Sequence, residues 1–312
     1  MSEFYGPAER ADSLATLGRA VEIGVSFVDT SDAYGIGANE TLLGEFLAGA
    51  RRDEIRVATK FGAVRDPQTG RPVEMRSDPE YVRLACDASL KRLGVDRIDL
   101  FYLHFPDRRT PIEDTVGAIG ELVAAGKVDH VGVSNVTAEQ IRAGHRAHPI
   151  AAVQNEWSLF TRDAEDSVIP ACAELGIGFV PYSPLGRGFL TGVYTSDEGL
   201  APTDIRHAVP RFTGTNAVHN ASLLEPVRAV ARAHDATPAQ VALAWLILKG
   251  AELGAGVVPI PGTRSADRIA ENARAADLTL SPQEMELLEP IGAAVLGAPR
   301  PPVPAAARQT AE

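Results

Sequence analysis

Two hydrophobic periodicities take turns along this chain. Short runs rich in β-branched residues, each ending in a polar or charged residue, alternate with longer stretches whose apolar positions recur every three or four residues. The first pattern marks buried strands and the second amphipathic helices. Strands are expected at 25–29, 55–60, 98–104, 128–134, 150–154, 177–182 and 256–260. Helices are expected at 13–23, 39–48, 79–93, 112–124, 138–147, 164–175, 222–233, 238–248, 266–275 and 282–291. Asp78-Pro79, Thr110-Pro111, Thr237-Pro238 and Ser281-Pro282 place a capping residue before proline at a helix start. Gly24, Gly94, Gly126 and Gly176 fall where helices should stop.

Strands alternating with helices specify a parallel sheet covered by helices, either an open doubly wound sheet or a closed barrel. A doubly wound dinucleotide fold carries G-x-G-x-x-G at its first strand–helix turn. Gly35-Ile36-Gly37-Ala38-Asn39-Glu40 and Gly186-Arg187-Gly188-Phe189-Leu190-Thr191 both lack the third glycine. The expected fold is therefore an α/β (β/α)₈ barrel, a TIM barrel. Only seven strand patterns are present and the first element is a helix, so the first strand is expected to be missing from this chain. One barrel domain is expected over 1–296. The Pro- and Ala-rich segment 297–312 cannot build a core and is expected to be disordered.

Composition narrows the function. Of 312 residues, 45% are hydrophobic and 23% charged, which suits a globular domain rather than a disordered or fibrous chain. A net charge of -11 disfavours general binding to nucleic acid or anionic membranes. The two cysteines, Cys86 and Cys172, form no C-x-x-C pair and lie on helical patterns, where packing is expected rather than reactivity. Neither a leader-like start nor an apolar run of membrane-spanning length is present, so a soluble cytoplasmic protein is expected. His145 and His148 lack the further ligands of a metal site and are expected on a solvated helix face; no metal is expected.

Reactive groups of a β/α barrel sit at the carboxyl ends of strands and in the loops that follow. Those positions hold Asp29, Tyr34, Lys60 and His104. A phenol is too weak an acid to protonate an alkoxide efficiently at neutral pH, but a neighbouring ammonium lowers its pKa and an aspartate keeps that ammonium charged. A lone rim Lys or Tyr usually has a bland explanation; four such groups on successive strands suggest a proton relay. Trp157 and Phe160 either line a substrate mouth or pack under a loop. The stretch 192–220, with Arg206, His207, Arg211 and Phe212, is either a functional lid or disordered.

These segments resemble the aldo-keto reductase family, in its potassium-channel β-subunit-like branch. The likeness runs from Ser2-Glu3-Phe4-Tyr5-Gly6 through Val57–Gly62, Gly132-Val133-Ser134-Asn135 and Val153-Gln154-Asn155-Glu156. It continues through Pro181-Tyr182-Ser183-Pro184-Leu185-Gly186 to Pro259-Ile260-Pro261-Gly262-Thr263-Arg264. The resemblance implies NADPH-dependent reduction of a small aldehyde or ketone. Tyr34 would be the general acid, Lys60 its partner, Asp29 the partner of Lys60, and His104 the group that orients the carbonyl. By the same likeness, Ser134, Asn135 and Gln154 would bond the nicotinamide carboxamide and Tyr182 would stack on the ring. Ser183, Leu185 and Gly188 would lie by the pyrophosphate, and Ile260, Gly262, Thr263, Arg264, Arg268, Glu271 and Asn272 would hold the rest of the nucleotide. The spacing of Arg264, Arg268 and Asn272 suggests one stripe of a helix whose N-terminus suits a 2′-phosphate. The resemblance also places a strand before Ser2, which strengthens the expectation of a shortened start, as from a misassigned start codon. A slowly turning nucleotide sensor on the same fold and an impaired, shortened reductase are the alternative readings.

Overall fold

A computed structural model describes residues 9–49, 52–194 and 200–301. Strands β1 (Phe27–Asp29) and β2 (Arg56–Phe61) are followed by a hairpin, β3 (Ala63–Arg65) and β4 (Pro72–Met75). Then come β5 (Ile98–Leu103), β6 (Val128–Ser134), β7 (Ile150–Gln154) and β8 (Gly178–Phe179). The main sheet is parallel throughout, in the order β1-β2-β5-β6-β7-β8. This order never reverses, whereas a doubly wound sheet reverses at its switch point. The sheet is that of a β/α barrel.

The first helices are α1 (Arg10–Glu22), α2 (Ala38–Gly49), α3 (Pro79–Leu93), α4 (Ile112–Ala124), α5 (Ala138–Ala147) and α6 (Val168–Leu175). After them come α7 (Gly214–Ser222), α8 (Glu225–Ala233), α9 (Pro238–Glu252), α10 (Ala266–Ala273), α11 (Pro282–Leu288) and α12 (Ile291–Ala294). Neighbours pack in sequence from α1 to α6, and α1 also packs against α10, so the helical layer continues past the outer side of β1. Among the described residues β1 pairs only with β2. The segment 2–6, where the resemblance begins, lies outside the described residues, as does 302–312 of the Pro- and Ala-rich segment.

Register sets the inner layers of the barrel. Lys60 lies beside Tyr102, and Tyr102 beside Gly132. The Tyr102 ring fills the space over Gly132, where an added Cβ would come within 2.3 Å of a ring carbon. Ala58, Leu100, Tyr102, Ala152 and Val180 form this inner cluster, while the larger core lies between sheet and helices. β5 is buried along its whole length, as a strand covered on both faces should be.

Several expected boundaries change. The strand expected at 256–260 is reduced to a single bridge between Val257 and Phe179. It keeps hydrogen bonds from Phe179 N to Gly256 O (2.8 Å) and from Val258 N to Phe179 O (3.0 Å). Pro259 and Pro261 have no N–H with which to extend the ladder, and Pro181 likewise limits the strand expected at 177–182 to Gly178–Phe179. The β3–β4 hairpin was not foreseen, although Asp66-Pro67-Gln68-Thr69-Gly70 is a turn sequence. Asp66 accepts from the amides of Gln68 and Thr69 at 2.7 and 2.8 Å, and Gly70 takes φ 68°. The described part of 192–220 contains short 3₁₀ turns at Ile205–Ala208 and Pro210–Phe212 and then α7, so it is not structureless.

α2 and α3 approach most closely at Gly44, where a Cβ would stand 2.6 Å from the Arg92 carbonyl oxygen and 2.8 Å from that of Leu93. These are backbone atoms and cannot swing aside. Gly44→Ala should therefore destabilise the fold by about 1–3 kcal/mol in urea denaturation, although alanine is the better helix former. An unchanged or raised midpoint would show that the two helices can separate at no cost.

Candidate active site at the carboxyl ends of the strands

Asp29 ends β1, Lys60 lies near the end of β2, His104 directly follows β5, and Tyr34 sits in the loop after β1. The loop backbone continues the sheet, with Thr30 N donating to Ala58 O (2.8 Å) and Asp32 N to Lys60 O (3.1 Å). Thr30 Oγ1 donates to Asn39 Oδ1 (2.7 Å), tying the loop to α2, and Arg65 of the hairpin donates to Ala33 O (2.7 Å). The sequence folds this way because a parallel strand must hand its chain over the barrel rim before a helix can return.

All four expected catalytic side chains converge. Lys60 is fully buried and its Nζ pairs with Asp29 Oδ1. The same Nζ donates to Thr30 O (2.9 Å) and stands 3.4 Å from the Tyr34 hydroxyl. Burial opposes the Lys60 charge, but Asp29 and then Tyr34 outweigh it, and the pKa is raised. The His104 ring meets Tyr34 edge-on, with centroids 6.0 Å apart. Burial, followed by the charge on Lys60, holds the His104 pKa well below its usual value, so the ring is neutral. A buried ammonium against a phenol favours the phenolate, the property a tyrosine acid requires.

Of the residues expected to hold a nucleotide, Ser134, Asn135, Gln154 and Tyr182 lie together at and after the ends of β6, β7 and β8. Ser134 Oγ donates to Gln154 O (2.6 Å), and Asn135 Nδ2 donates to His104 O and to Ser134 Oγ, each at 3.0 Å. Tyr182 donates to Asn135 Oδ1 (3.0 Å). Gln154, expected to bond a carboxamide, commits its Nε2 to Asp29 Oδ2 (2.9 Å) and so holds the carboxylate that holds Lys60. Ser183 and Gly188 adopt φ 51° and 93°, turning the loop that carries Leu185. Ile260, Gly262 and Thr263 follow the Val257 bridge, and Thr263 Oγ1 accepts from Ser265 N (3.1 Å).

One stripe is corrected. Ser265 caps α10, so Arg264 precedes the helix instead of lying on it. Arg264 and Arg268 are exposed at its N-terminal end, whereas Asn272 is buried. Glu271 accepts from Thr237 Oγ1 (2.7 Å), which braces α10 against the start of α9. His145 and His148 are also not simply solvated. His145 Nδ1 accepts from Ile150 N (3.1 Å), and the His148 ring occupies the space beside Gly120. Trp157 and Phe160 are packed: Trp157 donates to Glu165 (2.7 Å) and meets Trp245, while Phe160 meets Phe189. Both cysteines are buried, with pKa values pushed up to about 12 by burial.

Four contributors were missed. Ser31 and Asp32 lie in the loop after β1 that carries Tyr34, with Ser31 Oγ 3.2 Å from His104 Nδ1 and 3.2 Å from Asp32 Oδ1. Glu40 is fully buried, accepting from Thr59 Oγ1 (2.6 Å) and Arg92 Nε (2.6 Å); its place on the inner face of α2 was the available signal. Arg300 reaches back from the segment expected to be loose. It bonds Asn135 Oδ1 (3.1 Å), the Tyr182 hydroxyl and Glu156 (3.4 Å). Pro- and Ala-rich composition hides such a contact.

Comparison with known proteins follows the same lines. The model of the aldo/keto reductase family matches residues 2–293. A probable aldo-keto reductase from Glycine max is 43% identical over 293 residues, covering 93% of this chain and 82% of the relative. The glycerol dehydrogenase of Gluconobacter oxydans superposes with a TM-score of 0.82 at 26% identity, covering 97% of this chain and 91% of that one. An aldo-keto reductase from Klebsiella pneumoniae, solved in complex with NADPH, gives a TM-score of 0.72 at 25% identity, covering 97% and 90%.

Proposed function

Because the chain belongs to the aldo/keto reductase family, we propose that it reduces a small aldehyde or ketone with NADPH, using Tyr34 as the proton donor. The observation that carries this reading is the Lys60 ammonium, sealed in the barrel between the Asp29 carboxylate and the Tyr34 hydroxyl.

The residues present fit NADPH. Ser134 and Asn135 place a hydroxyl and an amide at the strand ends next to Tyr182, where a carboxamide would exchange for bonds they now make to each other and to their neighbours. The Arg300 guanidinium carbon is 6.0 Å from the centroid of the Tyr182 ring while a guanidinium nitrogen bonds its hydroxyl, so Arg300 sits toward the hydroxyl edge of the ring proposed to meet the nicotinamide. Exposed Arg264 and Arg268 at the N-terminal end of α10 suit a 2′-phosphate. The chemistry such a nucleotide supplies is hydride donation to the carbonyl carbon. Tyr34 and His104 would receive the carbonyl oxygen, and Tyr34 would give up its proton as negative charge develops there. Lys60 stabilises the phenolate left behind, Asp29 keeps Lys60 charged, and Gln154 fixes Asp29.

The test is a panel of carbonyl compounds followed by NADPH absorbance, with Tyr34→Phe as control. No turnover of any carbonyl by a chain that binds NADPH would favour a sensor instead. A second prediction concerns cofactor choice. Replacing both Arg264 and Arg268 with alanine should weaken NADPH binding while sparing NADH, because each lost charge-assisted bond is worth roughly 1.5–3 kcal/mol. Fluorescence titration with both nucleotides checks this; equal weakening would place the two arginines elsewhere.

A further inference from the structure

Behind His104 lies a hydrogen-bonded chain that the reaction above does not use. Ser31 is fully buried, and its Oγ stands 3.2 Å from Asp32 Oδ1 and 3.2 Å from His104 Nδ1. Oγ also accepts from Ala33 N (3.1 Å) and has a longer contact to Lys60 O (3.4 Å). A hydroxyl has one proton to give. When Asp32 is a carboxylate it is the strongest acceptor in reach, so Ser31 donates to it. The remaining lone pair on Oγ can then only accept, which requires the proton of neutral His104 to sit on Nδ1. When Asp32 is a carboxylic acid it donates to Ser31, and Ser31 turns its own proton toward Nδ1. The His104 proton then sits on Nε2, the ring nitrogen not taken up by Ser31.

We propose that Asp32 is a positioning residue which, through Ser31, decides which nitrogen of His104 carries the proton. With Nε2–H, His104 presents a donor to a carbonyl oxygen and supports reduction. With a bare Nε2, it presents an acceptor to an alcohol hydroxyl and supports the reverse reaction. The change balances as one proton: Asp32 passes its proton to Ser31, Ser31 passes one to Nδ1, and Nε2 releases one to the site. This rests on the reading of His104 as the group that meets the substrate oxygen.

The surroundings place the change in the neutral range. Burial pushes the Asp32 pKa up to about 7 and Glu40 on α2 adds to this, while Ser31, Arg92 on α3 and the Ala33 amide oppose it. Arg92 is itself ion-paired with Glu40. Tyr81 on α3 also senses the Asp32 charge, and Arg65 of β3 reaches the neighbouring Ala33 carbonyl. Around His104 the facing groups are Lys60, Tyr34 and Ser31.

The experiment is ¹⁵N NMR of the histidine side chains in the full-length protein across the neutral range, with the His104 signals assigned by their absence in His104→Asn. In wild type, His104 should pass from Nε2–H to Nδ1–H as pH rises, with no doubly protonated form accumulating. The rate of carbonyl reduction should fall over the same range, by about tenfold per pH unit above the midpoint. Asp32→Asn can donate to Ser31 at every pH, so it should hold His104 as Nε2–H and remove that limb of the rate profile. Ser31→Ala cuts the link and should leave a tautomer that no longer responds to pH. Wild-type tautomer behaviour in Asp32→Asn would overturn the proposal. If Tyr34→Phe retained full turnover while the tautomer still switched, the catalytic reading would fail and the coupling would stand. A fixed tautomer in wild type, alongside an inactive Tyr34→Phe, would overturn the coupling alone.

Discussion

Tyr34→Phe is expected to lower carbonyl reduction by about 10²–10⁴-fold and to leave NADPH affinity unchanged. The substitution keeps the ring that meets His104 edge-on and that lies 5.0 Å from Lys60 Nζ. It removes only the hydroxyl 3.4 Å from that ammonium, and with it the proton nearest the developing alkoxide. Steady-state kinetics paired with fluorescence titration of NADPH separates the two effects. Near-normal turnover would exclude Tyr34 as the acid. Lost affinity would show that the hydroxyl serves binding instead.

Lys60→Met should be as damaging to turnover, and it should also destabilise the protein. Asp29 has a side-chain exposure of 8%, and without the ammonium it would keep, among the described residues, the hydrogen bond from Gln154 but no charged partner. Removing one partner of a buried ion pair typically costs about 3–5 kcal/mol, because a charge is left uncompensated. The sign with pH follows from the raised pKa of Lys60. Its contribution is complete at neutral pH and is lost only as pH climbs through that raised value, above the ordinary 10.5. Urea denaturation at neutral pH should therefore show the full deficit. A variant as stable as wild type would mean that water or another group already compensates Asp29.

Local signals account for what the sequence made legible. The helices expected at 79–93, 112–124 and 138–147 match residue for residue. Asp78 caps the first, accepting from Tyr81 N, and Thr137 with Gln140 forms a complete capping box on the third. The four candidate catalytic side chains were legible because a barrel strand delivers its last residues to the rim. Prolines defeated the strand assignments after residue 175: apolar patterning marks a buried run but does not say how many ladder bonds survive without an N–H. Long-range partners were out of reach. The contact of Ser31 with His104 spans 73 residues, and that of Arg300 with Tyr182 spans 118. Nothing in the local composition around Ser31, Asp32 or Arg300 announces either.

The strand order has a consequence for how the site is completed during synthesis. Asp29, Tyr34, Lys60 and His104 all lie within the first third of the chain, whereas Gln154, which clamps Asp29, belongs to β7. Each strand of the main sheet adds beside the one translated before it, apart from the hairpin between β2 and β5. On a ribosome, these four candidate residues can therefore gather while the segments proposed to hold the nucleotide are still being translated. Asp29 receives its hydrogen bond from Gln154 only once β7 docks. The support for the charge pair of Asp29 and Lys60 thus comes from a segment that carries none of the four groups and is translated after all of them.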